Sequence, residues 1–172
     1  MFNFEKTLET ILYISEKSQD LYKILKIIYF SDIIHLKKFG RFITEDNYIA
    51  MENGPVPSGA YDIIKMVRDN FPFNQDYKDA VSASLKVTNR TSIQPKRKFN
   101  EKVLSKSEIA AIDQSIKENI GLTFNELKNK SHDFAHKNAD VNGLISVKDI
   151  VEMIGDKDLS DYYNSYSRTV VV

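Results

Sequence analysis

Apolar residues recur at helical spacing through the second tenth of the chain and beyond. Leu21, Ile24, Leu25, Ile28, Leu36 and Phe39 share one stripe with Asp32 and His35, the three-and-four alternation of a core-facing helix. Ile27, Phe30, Ile33 and Ile34 cover most of the remaining circumference, so the pattern predicts a helix over 21–39 that is buried nearly all round. Gly40 supplies a left-handed residue to end it. An earlier helix is predicted over about 3–17, with Phe4, Leu8, Ile11, Leu12 and Ser15 at the same spacing.

The pattern then changes. Residues 47–51 read as a short extended segment, and Glu52-Asn53-Gly54-Pro55-Val56-Pro57 must turn. Pro55 and Pro57 restrict their own φ, and Pro57 drives Val56 out of the helical region. Ser58 can cap a helix carrying Ala60, Ile63, Ile64 and Val67, stopped before Pro72. Val81, Ala83, Leu85 and Val87 alternate with polar residues, which is strand periodicity. Asn89-Arg90 can turn the chain into a return strand over 91–94, and the flanking charges make this an edge hairpin.

Helix starts punctuate the second half. Ser105 with Glu108 forms a capping box ahead of Ile109, Ile112, Ile116 and Ile120, and Thr123 with Glu126 forms another. Ile145 and Ile150 occupy staple positions around Ser146, and Gly155 closes that helix. A Tyr-rich segment over 159–166 leads to Val170-Val171-Val172. The expected fold is a single α+β domain over 1–172, mostly helical, with one small antiparallel β-hairpin.

Two motifs in this order resemble the signature of the Panacea domain, also called the SocA-like antitoxin domain. That signature is roughly a K-L-x-Y-F-x-D helix followed by H-L and G, then Y-x-A-x-x-x-G-P-V-P and a Tyr. The matching residues are Lys26, Tyr29, Phe30, Asp32, His35, Leu36, Gly40, Tyr48, Ala50, Gly54, Pro55, Val56, Pro57 and Tyr61. A second match lies in Leu104-Ser105-Lys106-Ser107-Glu108 and in Ser131-His132-Asp133-Phe134-Ala135-His136, where the family commonly reads S-H-x-x-x-x-W. This chain has no Trp, and His136 or a neighbour stands in its place. The resemblance implies a non-enzymatic antitoxin that binds and neutralises a cognate protein toxin. Some relatives imply instead an adaptor that delivers a bound protein to a protease.

Composition narrows the setting. A chain of 172 residues fits one domain and buries about 70% of its unfolded surface. Hydrophobic residues make up 42%, an ordinary share, and no apolar run reaches the length of a membrane span. Met1-Phe2-Asn3-Phe4-Glu5-Lys6 lacks the order of a signal peptide, so the expected location is cytoplasmic. Cysteine is absent, which removes disulfides and thiolate metal sites. Lys plus Arg and Asp plus Glu each number 24, and this balance disfavours a direct nucleic-acid partner.

Candidate chemistry is sparse. Asp32 and His35, one turn apart on a dry face, can be a proton-transfer pair or two metal ligands. The stronger reading is a mutually satisfied structural pair, with Asp32 held by His35 or by backbone donors of the Gly-Pro turn, because no nucleophile or third ligand lies beside them in sequence. His132 and His136 stand at i, i+4, a zinc-capable spacing, but a zincin's Glu is replaced by Asp133. Packing for His132 and a surface role for His136 are preferred, and no cofactor or metal is expected. A metal-dependent hydrolase using Asp32, His35 and His132 ranks third. Lys96-Arg97-Lys98 with Arg90 reads as a solvated basic loop, and Tyr162, Tyr163 and Tyr166 as either packing or an interface anchor. The structural motif is then Tyr29, Asp32, His35, Gly40, Gly54, Pro55, Pro57 and His132. Glu52, Asn53 and Val56 on the rigid turn, flanked by Tyr48 and Tyr61, are the expected toxin contacts, with a homo-oligomer possible in the complex.

Overall fold

Helix α1 (Phe4–Ser15) leads into α2 (Leu21–Phe39), and the rest of the chain is arranged around α2. The computed structural model describes residues 2–72 and 74–169. Strands β1 (Tyr48–Met51) and β2 (Gly54–Pro57) form an antiparallel pair and are followed by α3 (Ser58–Arg68) and α4 (Gln75–Ser84). A second antiparallel pair, β3 (Leu85–Asn89) and β4 (Ser92–Pro95), precedes α5 (Lys106–Asn119), α6 (Phe124–Ser131), α7 (Phe134–Asn138), α8 (Val147–Ile154) and α9 (Lys157–Thr169). The fold is α+β and mostly helical. Val170-Val171-Val172 and the side chain of Tyr166 lie outside the described residues.

The all-round apolarity of α2 has a simple cause: it belongs to two cores. Leu21, Ile24, Leu25, Ile27 and Ile28 join α1, α3, the β3–β4 pair and α5 in one cluster. Tyr29 and Leu36 join Tyr48, Ala50, Ile145, Ile150 and Leu159 in the other. Ala111 and Ser115 let α5 come close, and the Ser115 hydroxyl donates to the Ile27 carbonyl at 2.8 Å. Phe39, the last residue of the predicted stripe, is instead 53% exposed.

Capping follows the sequence closely in most places. Asp20 accepts from the Tyr22 and Lys23 amides, and Gly40 (φ 69°) closes α2 with its N–H on the Leu36 carbonyl. Both capping boxes form, and Ser146 and Gly155 (φ 68°) bound α8. Helix α3 is the exception. Ser58 makes no cap; Asp46 caps it from the preceding loop, accepting the Gly59 and Ala60 amides at 2.8 Å each.

Two further expectations are corrected. Val81 and Ala83 sit in α4, and the strand begins only at Leu85. The alternation there is too short to separate a period of 2 from one of 3.6, and Val81 also stands four residues after Tyr77. Packing of α4 on α3, with Val81 inward and Ser82 and Ala83 outward, settles it as helix. Gly54-Pro55-Val56-Pro57, read as a turn, is strand β2, paired Tyr48↔Pro57 to Met51↔Gly54 with Glu52-Asn53 as the turn. Prolines are tolerated in this strand because a two-stranded pair leaves one edge with no ladder to donate to.

Candidate functional site

The polar residues of α2 act first as architecture. Asp32 is wholly buried and its carboxylate accepts four hydrogen bonds: Ile43 N–H at 2.6 Å, Thr44 N–H at 3.3 Å, Thr44 Oγ at 2.7 Å and Tyr48 Oη at 2.6 Å. Burial pushes its pKa up to about 6, against the pull of those donors, which favour the carboxylate. Neither His35 nor the Gly-Pro segment supplies any of them, contrary to the sequence expectation. His35 turns the other way: its Nδ1–H donates to the Arg41 carbonyl at 2.8 Å, and Nε2 lies 3.4 Å from Ser107 Oγ. Burial lowers its pKa, which favours the neutral ring. Tyr29 donates to Asp133 at 2.8 Å and so ties α2 to the start of α7.

The β1–β2 pair is held on every side. Residues 142–145 run along the free edge of β1, exchanging backbone hydrogen bonds with Tyr48 and Ala50. Tyr22 Oη donates to the Asn53 carbonyl at 2.9 Å, Lys128 reaches Asn53 Oδ1 at 3.0 Å, and His136 Nε2–H donates to the Met51 carbonyl at 2.9 Å. Gly54 has φ 96°, and a Cβ there would collide with Ser131 Oγ and stand 3.3 Å from Lys26 Nζ. Only glycine fits that position.

Lys26 lies beneath this pair. It is 1% exposed, its Nζ donates to the Pro55 carbonyl at 2.6 Å, and it sits 4.9 Å from the centroid of the Tyr22 ring. Burial brings its pKa down to about 7. Lys26 also lines a groove of about 600 Å³, whose other lining residues come from α2, the β1–β2 turn, Tyr61 and Arg68 of α3, Arg90 and Thr91 of the β3–β4 turn, and Phe124 of α6.

Of the five expected contact residues, Glu52, Asn53, Val56 and Tyr61 line this groove. Tyr48 does not: it is 2% exposed and donates to Asp32, because the inward face of β1 is a core face. His132 and His136 stack with ring centroids 4.3 Å apart behind the turn, and His132 Nε2 and His136 Nδ1 are buried without a hydrogen-bond partner among the described residues. His136 is therefore not the surface residue expected of it. No group of three His, Cys, Asp or Glu able to hold a metal occurs among the described residues. The basic run is largely committed to bracing the fold. Arg97 pairs with buried Glu9 through both terminal nitrogens, and Lys96 Nζ donates to the Ser82 carbonyl at 2.6 Å. In α9, Leu159 is buried and Tyr163 half-buried, while Tyr162 is 53% exposed.

Sequence reasoning missed Tyr22, Arg68, Arg90 and Phe124 as groove residues. Only Lys26 left a legible trace, as a charge inside the apolar run Ile24-Leu25-Lys26-Ile27-Ile28. The others come together from four separate elements. Compared with known proteins, residues 24–136 match the model of the antitoxin SocA-like, Panacea domain family. No curated protein and no solved structure matches the chain.

Proposed function

This chain belongs to the SocA-like antitoxin family defined by the Panacea domain, and from that premise we propose that it neutralises a protein toxin by binding it stoichiometrically at the groove beside the β1–β2 turn. The observation that supports the location is that Glu52, Asn53, Val56 and Tyr61 all line that groove. Glu52 and Asn53 stand on a turn tied down by Tyr22 and Lys128, and the adjoining β1 is paired with residues 142–145. A turn so constrained has little backbone entropy left to lose when a partner docks, which favours affinity. Tyr61, with Arg68 Nη2 donating to its hydroxyl at 3.0 Å, offers the aromatic anchor that interface centres favour. Neutralisation is then steric: the bound domain covers the toxin's working surface.

Co-expression with a growth-inhibiting protein encoded beside this chain's gene tests this. Val56→Glu places a charge in the groove, and Glu52→Arg reverses one at its rim. Both are expected to abolish growth rescue with circular dichroism near wild type; exposed Glu52→Arg should also keep the melting temperature, while half-buried Val56→Glu should lower it without unfolding the chain. Full rescue by both soluble variants would move the interface to another face, with α9 and Tyr162 next to be tried.

A further inference from the structure

We propose that the groove over Lys26 is an acceptor site for an acidic side chain, an Asp or Glu carried on the segment of the toxin that docks there. This deepens the docking reading above and rests on it. A lysine that is 1% exposed ordinarily has a carboxylate beside it, because burying an unpaired ammonium is costly. Lys26 has none. Its polar contacts among the described residues are the Pro55 carbonyl at 2.6 Å and the face of Tyr22. One carbonyl satisfies one of three ammonium donors, and Lys26 is among the residues that line an open groove.

The groove's other cations are Arg90 and Arg68, the latter already held by Asp69 at 2.6 Å. Of its two acidic residues, Asp20 spends its carboxylate on the Tyr22 and Lys23 amides as the α2 cap, and Glu52 is exposed on the turn, with no ion pair to Lys26. A carboxylate entering from a partner would meet a buried ammonium that lies 4.9 Å from the centroid of the Tyr22 ring. There a charge-assisted hydrogen bond is worth more than at the surface. The burial that holds the amine's pKa down to about 7 is the cost such a partner would offset.

The test uses the full chain and a displayed library of random dodecapeptides. Selection on the wild-type protein is expected to yield peptides with an Asp or Glu at one shared position. Changing that residue to Asn or Gln should weaken binding at least tenfold, as should Lys26→Met in the protein. The two changes together should cost no more than either alone, which a purely structural role for Lys26 would not produce. Peptides without a shared acidic position, peptides that bind Lys26→Met as well as wild type, or no selected peptide at all would overturn the proposal. Growth rescue separates the two readings. Loss with Val56→Glu but full rescue with Lys26→Met removes the acidic anchor and leaves the docking surface standing. Rescue by Val56→Glu and Glu52→Arg removes the surface itself.

Discussion

A carboxylate cut off from solvent needs donors, and Asp32 has four of them within one short stretch of chain. It thereby fastens residues 43–48 to α2 and fixes where β1 begins. Removing one donor and removing the acceptor are different experiments. Tyr48→Phe is expected to cost about 1–3 kcal/mol, and Asp32→Ala more, because it strands two buried hydroxyls and two amides. Chemical denaturation checks both, and equal losses would mean that Tyr48 is the sole significant partner. Lys26 makes a pH prediction of definite sign. Its folded pKa of about 7 lies below the ordinary 10.5, so between those values the unfolded chain binds more protons and folding gains stability as pH rises. Compared with Lys26→Met, wild type should gain on the order of a few kcal/mol between pH 7 and pH 9.5. Parallel stability profiles for the two proteins would show that the amine carries no charge penalty.

Among the elements, the β1–β2 pair is the most constrained and α4 the least specified. In β1–β2 the limiting residue is Gly54, whose φ of 96° coincides with a packing contact against Ser131 and Lys26. Gly54→Ala is expected to destabilise by about 1–3 kcal/mol, whereas Gly121→Ala, where a Cβ meets nothing within 4 Å, should be neutral or slightly stabilising. Thermal melts of the two variants side by side make the comparison, and similar behaviour would remove the close approach at Gly54. The contrast with α4 is one of information. Capping boxes and staples name their helix by local hydrogen bonds, and so Ser105, Thr123 and Ser146 mark helix starts without any knowledge of the fold. Val81-Ser82-Ala83-Ser84-Leu85 satisfies either period, and only its neighbour α3 selects one.

For the molecule as a whole, α2 is a shared wall between two hydrophobic clusters, which couples the groove to the core on which it rests. Nothing in that scheme calls on a metal. The two imidazoles left with unpaired nitrogens, His132 and His136, have no third His, Cys, Asp or Glu placed to complete a site among the described residues. Treatment with EDTA is accordingly expected to leave the melting temperature unchanged, and elemental analysis to find no stoichiometric zinc. A fall in melting temperature reversed by zinc but absent in His132→Ala would establish a metal centre there.

The helical class, the buried character of most of 21–39, most helix ends and the left-handed backbone at Gly40 could all be read from residue order. Each is set by interactions within a few positions: periodicity, caps, glycine and proline. The partners of Asp32 and His35, the Asp46 cap on α3, the burial of Tyr48 and the groove over Lys26 could not. Those depend on residues 11 to 16 positions apart for Asp32 and Asp46, and on residues from α2, β2, α3, the β3–β4 turn and α6 for the groove. A polar side chain in an apolar run shows from sequence that it must find a partner. Which partner it finds is decided by the packing of distant elements, because a hydrogen bond is short and the chain segments that meet there are brought together by the core.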